Sequence, residues 1–311
     1  MSRLKRLSAL SSLLAGEAPA KIDWMSLLAA ANEALVTPQV YAAALRTGTA
    51  SEMPSEVRIF LHEVWRRNRE RNRRLFGQLR EAVAILNAIG VEPVLLKGAA
   101  HWAASGRPAE YDRMLTDLDL LVGDEQAPAA LSALEDAGYV AHKLWENPAK
   151  YVAADLGRPD CVGVIDLHRR PPGPEAEARA AMALEDQFAS VSWRGVRLRV
   201  PSPALQIFFL VLHDQFEDGG YWRGRFVLRH LADIADLTRQ PGGVDWGVLR
   251  RLAHTRLVRN TTDAQLLAAA SLCGAVVPGA AQRPWVRLQY ARLKAQFEWP
   301  QLKPLLVQLS G

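Results

Sequence analysis

The segment Thr116–Val122 carries the residues most suited to chemistry. Asp117 and Asp119 alternate with Leu118 and Leu120, and successive side chains of a strand point to opposite faces, so we expect both carboxylates on one face of a buried strand. Hard divalent cations such as Mg²⁺ prefer carboxylate oxygens, and paired carboxylates can hold two ions roughly 3.5–4 Å apart for phosphoryl-type transfer. The same pattern is also typical of a polar strand end.

A third acid and a candidate phosphate-binding turn strengthen this prediction. Asp166 lies in the apolar run Val164–His168, where a buried carboxylate needs a partner or a metal. Lys97, Gly98 and Ala99 follow another apolar run, VEPVLL, and open a predicted helix whose backbone N–H groups could face a phosphate. A snorkelling lysine beside an ordinary turn glycine would give the same pattern.

Two charged residues outside these runs have alternative interpretations. Arg113 precedes Asp117 by four residues, and it either neutralises phosphate charge or pairs with a carboxylate. Asp233 lies inside an apolar helix, and we interpret it as a structural partner of an arginine such as Arg229 rather than as a catalyst.

A histidine and a loop in the C-terminal part are further candidates. His213 ends an apolar helix, and the Gly/Arg-rich segment 218–225 follows it. Trp222 could stack on a base there, and Arg223 or Arg225 could bind phosphate. The competing interpretations are a hydrogen-bonded helix-end histidine and an ordinary exposed loop.

The elements that must position these residues predict an α+β fold with three parts. Residues 1–88 form a helical N-terminal segment, 89–200 a sheet core and 201–311 a C-terminal helical bundle. The predicted strands are Val91–Leu96, Leu118–Val122, Tyr139–Leu144, Tyr151–Ala154, Val162–His168 and Val196–Val200. The predicted helices beyond the N-terminal segment are one starting near Ala99, then Gln126–Ala137, Leu205–Asp214, Phe226–Leu237, Trp246–Leu257 and Asp263–Leu272.

The positive charge is concentrated in one stretch. The chain has 38 Lys and Arg against 33 Asp and Glu, an excess of five, and the segment Arg66–Arg74 (RRNRERNRR) alone contributes six arginines and one glutamate. A basic stretch without interleaved aromatics is usually a solvated helix face, so the pI of 9.4 is weak support for a nucleic-acid partner.

Several classes of protein are disfavoured by composition and motifs. The longest apolar stretch, Leu205–Leu212, is far shorter than the roughly 20 residues that span a bilayer. The first 20 residues have the outline of a signal peptide, but the spacing of their leucines favours an amphipathic helix. Only Cys161 and Cys273 are present, so we expect a reducing, cytoplasmic setting. P-loop, Rossmann, zincin and serine hydrolase motifs are absent from the sequence.

Taken together, the motifs resemble the nucleotidyltransferases of the DNA polymerase β-like superfamily. They are more narrowly similar to the bacterial, uncharacterised group called nucleotidyltransferase family proteins. The residues that carry the resemblance are L-L-K-G-A ending at Ala99, Arg113, TDLDLLV at 116–122 and IDLH at 165–168. The helical lead-in with its Arg-Asn segment, the element ending at His213 and LADIA at 231–235 extend the resemblance over most of the chain. It implies a polymerase β-like nucleotidyltransferase sheet core between helical segments.

The resemblance also implies roles for individual residues. Asp117 and Asp119 match the two metal-binding acids, and Asp166 matches the third, which helps to bind the catalytic metal and can accept the proton of the acceptor. Lys97, Gly98 and Ala99 match the loop that holds the triphosphate, with Arg113, His213 and Arg223 as further nucleotide-binding candidates. The sequence departs from the pattern at Ala99, where the family has Ser or Gly, so a hydroxyl contact to phosphate is lost.

The predicted function is that of an Mg²⁺-dependent nucleotidyltransferase. It would use two metal ions to move a nucleoside monophosphate from an NTP to an acceptor, which is a small molecule, a sugar phosphate, a peptide or a protein. One alternative is a catalytically weak or inactive module that binds a nucleotide or partner on the same fold. Another, less favoured, is an enzyme that acts on RNA through the Arg66–Arg74 stretch. The acceptor, the preferred base and the oligomeric state are left open by the sequence.

Overall fold

The computed structural model describes residues 2–19, 21–105, 112–147 and 150–302. The described residues form two compact units: those of the first lie within the ranges 1–68, 112–114 and 210–311, and those of the second within 69–111 and 115–209. Residues 303–311 of the predicted C-terminal domain lie outside the described part of the chain.

The α-helices account for most of the described elements. In chain order they are α1 (Arg3–Ala15), α2 (Trp24–Glu33), α3 (Thr37–Thr47), α4 (Ser55–Ala88), α5 (Lys97–Ala104), α6 (Ala127–Asp136), α7 (Glu175–Met182), α8 (Pro203–Leu212), α9 (Gly220–Arg223), α10 (Leu228–Arg239), α11 (Trp246–Leu252), α12 (Arg256–Cys273) and α13 (Pro284–Glu298). A π-helical turn, His213–Glu217, follows α8 directly. None of the helices in the described ranges has the length and apolar character needed to cross a bilayer.

The second unit is built on a mixed sheet. Its described strands are β1 (Val94–Leu95), β2 (Asp117–Leu121), β3 (Val140–Leu144), β4 (Val152–Gly157), β5 (Val164–His168), β6 (Phe188–Trp193) and β7 (Val196–Pro201). They lie in the order β3-β4-β5-β2-β1-β7-β6. The pairs β2/β5 and β1/β7 are parallel and the other neighbours are antiparallel. The expected α+β class is therefore confirmed.

One face of the sheet is apolar and is buried in the core of this unit. Leu118 and Leu120 of β2 and Ile165 and Leu167 of β5 are buried in one cluster. The C-terminal part of α4 contributes residues spaced by three and four to the same cluster, which is the pattern of a helix that buries one face. The residues between these leucines on β2 are left to the other face of the sheet.

Two predictions about secondary structure were wrong in detail. The predicted helix Trp246–Leu257 is two helices, because Thr255 caps the N-terminus of α12 by accepting a hydrogen bond from the Val258 amide. Helix α12 also extends well before Asp263. Strand β6 and helices α7 and α13 were not anticipated; the middle of β6 is exposed and partly polar, so it lacks the apolar signal of a buried strand.

Candidate active site

The carboxylates predicted from the sequence lie side by side on the sheet. Asp119 of β2 is directly opposite Asp166 of β5, and Asp117 is opposite Val164. Directly paired residues of neighbouring strands present their side chains on the same face. Asp119 is buried, whereas Asp117 and Asp166 are half-buried, so the acids line a partly open surface and not a closed core.

A fourth acid, Asp155, joins this face from the adjacent strand. In β4 it is directly opposite Asp166, and its negative charge acts on that carboxyl group. The sequence interpretation missed it because the predicted strand ended at Ala154, one residue too early. The detectable signal was the acid at the end of the apolar run Val152–Ala154.

Crowding of these carboxyl groups changes their proton affinity. Burial raises the pKa of Asp166 to about 8, and the negative charges of Asp119, Asp117 and Asp155 act in the same direction. Burial also raises the pKa of Asp155 above its usual value. Carboxyl groups this close together cannot all ionise without a large electrostatic cost, so a proton or a cation among them is favoured. The cluster is therefore a site that favours positive charge.

A lysine from the predicted phosphate-binding turn reaches this cluster. Lys97 Nζ donates a hydrogen bond of 2.6 Å to Asp119 Oδ1, and the two side chains form an ion pair that is 13% and 2% exposed. Burial opposes the charge on Lys97, but the carboxylates of Asp119 and Asp117 outweigh it and raise its pKa. Burial likewise opposes ionisation of Asp119, and the Lys97 ammonium and His168 outweigh it and lower its pKa.

The backbone at Lys97 is unusual. Its φ of 45° lies in the left-handed region that non-glycine residues rarely adopt. Helix α5 begins at this residue, two positions earlier than expected, and no side chain caps it at Leu96. Gly98 and Ala99 are buried in its first turn. The tight turn from β1 into α5 thus turns the Lys97 side chain back toward Asp119.

His168 contributes a second nitrogen to the same oxygen. Its Nε2 lies 3.0 Å from Asp119 Oδ1, and the residue is fully buried. One ligand atom from each of Asp119, Asp166 and His168 lies within 4.8 Å of the others, a geometry that could hold a metal ion. Asp117 instead accepts a hydrogen bond from Thr116 Oγ1 at 2.8 Å; its assignment as a metal ligand stays a prediction.

Side chains of α4 hold the loops that lead into the two acid-bearing strands. Arg71 donates hydrogen bonds to the carbonyls of Leu115 and Thr116 before β2 and to that of Val162 before β5. Gln78 pairs with the backbone N–H and C=O of Gly163. One arginine of the basic stretch therefore serves to position the carboxylate strands.

The remaining site candidates belong to the first unit. Arg113 forms a buried, bidentate ion pair with Asp233, with Nε to Oδ1 at 2.8 Å and Nη2 to Oδ2 at 2.7 Å. Of its two possible roles, the carboxylate pair is the one present in the structure; a contact with nucleotide stays a prediction. Asp233 has a partner of the expected type, an arginine, which is Arg113.

His213 lies in a hydrogen-bonded network at the π-helical turn. Its Nδ1 is 3.2 Å from Asp214 Oδ1, and His230 Nδ1 contacts the same carboxylate at 2.8 Å. Burial opposes ionisation of Asp214, but the His230 and His213 rings outweigh it and lower its pKa. Burial lowers the pKa of His230 below 6.5 despite Asp214. Ligand atoms of His213, Asp214 and Asp218 also lie within 4.8 Å of one another.

The predicted Gly/Arg-rich loop contains the short helix α9. Arg223 and Trp222 are exposed, and Arg292 of α13 donates a 2.7 Å hydrogen bond to the carbonyl of Tyr221. The loop is therefore attached to α13 and presents Trp222 and Arg223 on the surface of the first unit. Their binding to nucleotide stays a prediction.

Comparisons with known proteins identify the family. The family model for an uncharacterised nucleotidyltransferase matches residues 20–274, and no curated protein matches the sequence. A solution structure of the antibiotic-resistance factor ANT(2'')-Ia is 17% identical, covers 62% of this chain and 89% of that chain, and has a TM-score of 0.37. A crystal structure of ANT(2'')-Ia with adenylyl-2''-tobramycin is 15% identical, covers 63% and 96%, and has the same TM-score, 0.37.

The family match includes Lys97 and the hydrogen-bonded histidines of the first unit. It also includes the four acids of the sheet, Asp117, Asp119, Asp155 and Asp166. Because residues 20–274 make up well over half of the chain, the chain belongs to this nucleotidyltransferase family and is an enzyme of that class.

Proposed function

We propose that the carboxylate cluster, defined as Asp117, Asp119, Asp155 and Asp166, binds Mg²⁺ and an NTP and directs transfer of a nucleoside monophosphate to an acceptor. The observation that carries the proposal is the direct pairing of Asp119 with Asp166 on neighbouring parallel strands, with Asp155 adjoining Asp166 on the next strand.

The donor set suits a hard divalent cation. Carboxylate oxygens dominate it, and burial together with the neighbouring negative charges raises the pKa of Asp166 to about 8. Asp119 and Asp166 would hold the ion from adjacent strands, with His168 within reach of the same position and Asp117 on the same strand face as Asp119. When bound, Mg²⁺ neutralises phosphate charge and the charge that develops on the departing pyrophosphate.

The residues of this chain have three tasks in such a reaction. Lys97 and the first turn of α5, with Gly98 and Ala99, bind the triphosphate through a side-chain charge and backbone N–H groups. The acceptor oxygen forms a bond to the α-phosphorus as the bond to the bridging oxygen breaks and pyrophosphate leaves. Asp166 takes the acceptor's proton. Positioning and charge stabilisation supply most of the acceleration.

The experiment that tests this proposal also identifies the acceptor. Purified protein is incubated with α-labelled ATP, GTP, CTP or UTP, a lysate and either Mg²⁺ or EDTA, and mass spectrometry searches for products that gain a nucleoside monophosphate. We expect an adduct that forms only with Mg²⁺. Its absence for all four nucleotides, with lysate fractions of both small molecules and proteins, would contradict the proposal.

A binding module without turnover is the second candidate. Ala99 lacks the hydroxyl that the superfamily places near phosphate, and the Asp119 carboxylate already accepts from Lys97. Calorimetry with each NTP, with and without Mg²⁺, separates the two: a module binds without releasing pyrophosphate, whereas the enzyme releases it once the acceptor is present.

A cytoplasmic location stays a prediction.

A further inference from the structure

A cavity of 370 Å³ lies wholly within the first unit. Five segments meet around it: α1, α2, the segment 224–226, the start of α10 and the end of α13. None of its lining residues belongs to the second unit, which contains the carboxylate cluster.

The lining of the cavity is positively charged. Arg3, Arg6 and Arg225 line it, and Glu33 is the one acid among the lining residues. Arg3 lies 3.8 Å from Glu33, but both side chains are well exposed, so this pair is weak. In the described part of the chain, the guanidinium groups of Arg6 and Arg225 have no hydrogen-bond or ion-pair partner. Two arginines are thus available to an anion.

Two aromatic rings also line the cavity. Phe226 and Phe297 line it with ring centroids 5.6 Å apart in an edge-to-face arrangement. The guanidinium of Arg3 lies 4.9 Å from the centroid of the Phe297 ring. Aromatic faces next to guanidinium groups suit a ligand that carries a planar ring and a negative group.

The corner that carries Arg225 is held in place by close packing. Gly224 has a φ of 60°, and a Cβ at this position would lie 2.3 Å from Cβ of Gln296. Only glycine lets the chain pass this close to α13 in the left-handed conformation. Arg225 and Phe226 therefore follow a fixed turn, which places a charge and a ring on the cavity wall together.

We infer that this cavity binds a small phosphorylated ring compound of the size and chemistry of a nucleoside monophosphate. Arginine guanidinium groups bind phosphate through paired hydrogen bonds, and the two phenylalanines provide the surface for the ring. A volume of 370 Å³ is at the small end of the roughly 300–1,000 Å³ of ligand pockets. This binding goes beyond the proposed transfer reaction, because it uses no residue of the carboxylate cluster.

The test measures AMP binding to the full-length protein by calorimetry in EDTA, with adenosine and inorganic phosphate as partial ligands. The cavity variants are Arg225→Ala, at an exposed position that leaves the fold intact, and Arg6→Ala with Arg225→Ala. The matched control is Lys5→Ala, which removes a positive charge from α1 at an exposed residue that does not line the cavity. Asp119→Asn reports on binding at the carboxylate cluster.

We expect saturable AMP binding that weakens at least tenfold in the double variant, changes less than twofold in Lys5→Ala and persists in Asp119→Asn. Adenosine and phosphate should each bind at least tenfold more weakly than AMP. The inference is overturned if AMP does not bind, if the double variant binds as well as the unmodified protein, or if Asp119→Asn abolishes binding. It is also overturned if phosphate alone binds as tightly as AMP.

Discussion

At the scale of single residues, the Asp166 carboxyl group lies next to several other negative charges. It is flanked by Asp119 on one neighbouring strand and Asp155 on the other. Burial and the repulsion between these groups raise the pKa of Asp166 to about 8, and a cation placed among them relieves the repulsion. The raised pKa of Asp166 should be measurable in the protein without metal.

The first prediction concerns pH and stability in EDTA. With a folded pKa of about 8 against an ordinary value of 3.8, Asp166 binds a proton in the folded state that it loses on unfolding. The free energy of unfolding should therefore fall as pH rises from 7 to 8, by at most about 1.4 kcal/mol per unit. His230 has the opposite effect, but only below pH 6.5.

Urea denaturation at pH 7 and pH 8 measures this slope. Asp166→Asn should remove most of it, whereas Asp136→Asn, at an exposed acid of α6, should keep it. An equal pH dependence in the Asp166 variant and the unmodified protein would mean that the carboxyl group is not protonated in the folded state.

The second prediction at this scale concerns the rate of nucleotidyl transfer when Asp155 is substituted. Because Asp155 is directly opposite Asp166, which we propose as a metal ligand, Asp155→Asn should lower the rate of transfer by about 10- to 100-fold. Titration of Mg²⁺ in the transfer assay should show a weaker apparent affinity. A rate equal to that of the Asp136→Asn control would show that Asp155 has no part in the site.

At the scale of elements, α4 supports the active-site strands from outside the sheet. Arg71 binds the carbonyls before β2 and β5, and Asn87 binds the backbone of Val91 and Arg197. Arg71 thus holds the starts of the acid-bearing strands β2 and β5, and Asn87 of the same helix links the segment before β1 to β7.

The third prediction tests this support. Arg71→Ala should lower the free energy of unfolding by about 2 kcal/mol, because it leaves carbonyls without a charged donor, and should lower the transfer rate about tenfold. The matched control is Arg74→Ala, which removes an exposed arginine of the same stretch. If both variants unfold at the same urea concentration, Arg71 does not hold the strands.

The same elements show what the sequence could predict. Strands β2 and β5 were predicted correctly because each is a short apolar run interrupted by acids, and these acids are the basis of the candidate site. Asp155 was missed because a single residue at the end of β4 decides whether it belongs to the strand. The break between α11 and α12 was missed because the cap at Thr255 competes with a continuous apolar pattern. Strand pairing depends on contacts distant in sequence, so Asp119 opposite Asp166 could only be seen in the structure.

At the scale of the whole molecule, most arginines of the basic stretch Arg66–Arg74 already have partners within the protein. Arg66 and Arg67 both pair with Glu63, and Arg73 pairs with Glu70. Arg71 binds backbone carbonyls. The stretch that accounts for the formal charge of +5 is therefore mainly a paired helix surface and a support for the sheet.

The fourth prediction follows for RNA. Binding of a generic single-stranded RNA should weaken less than tenfold between 50 and 200 mM salt, whereas a protein with about six phosphate contacts loses about 10³-fold or more. Charge reversal at Arg69 and Arg73 should have little effect on it. A steep salt dependence that disappears in this double variant would support an RNA-acting enzyme instead.

The central claim is that Asp119 organises Mg²⁺-dependent nucleotidyl transfer. Its most direct test is the rate at which Asp119→Asn transfers the α-labelled nucleotide to the acceptor found in the adduct screen, relative to the unmodified protein and Asp136→Asn. Loss of a metal-binding carboxylate costs several kcal/mol of transition-state stabilisation, so the rate should fall about 10³-fold while the Asp136 variant stays within twofold. An Asp119→Asn protein that transfers nucleotide at the normal rate with Mg²⁺ would contradict the account.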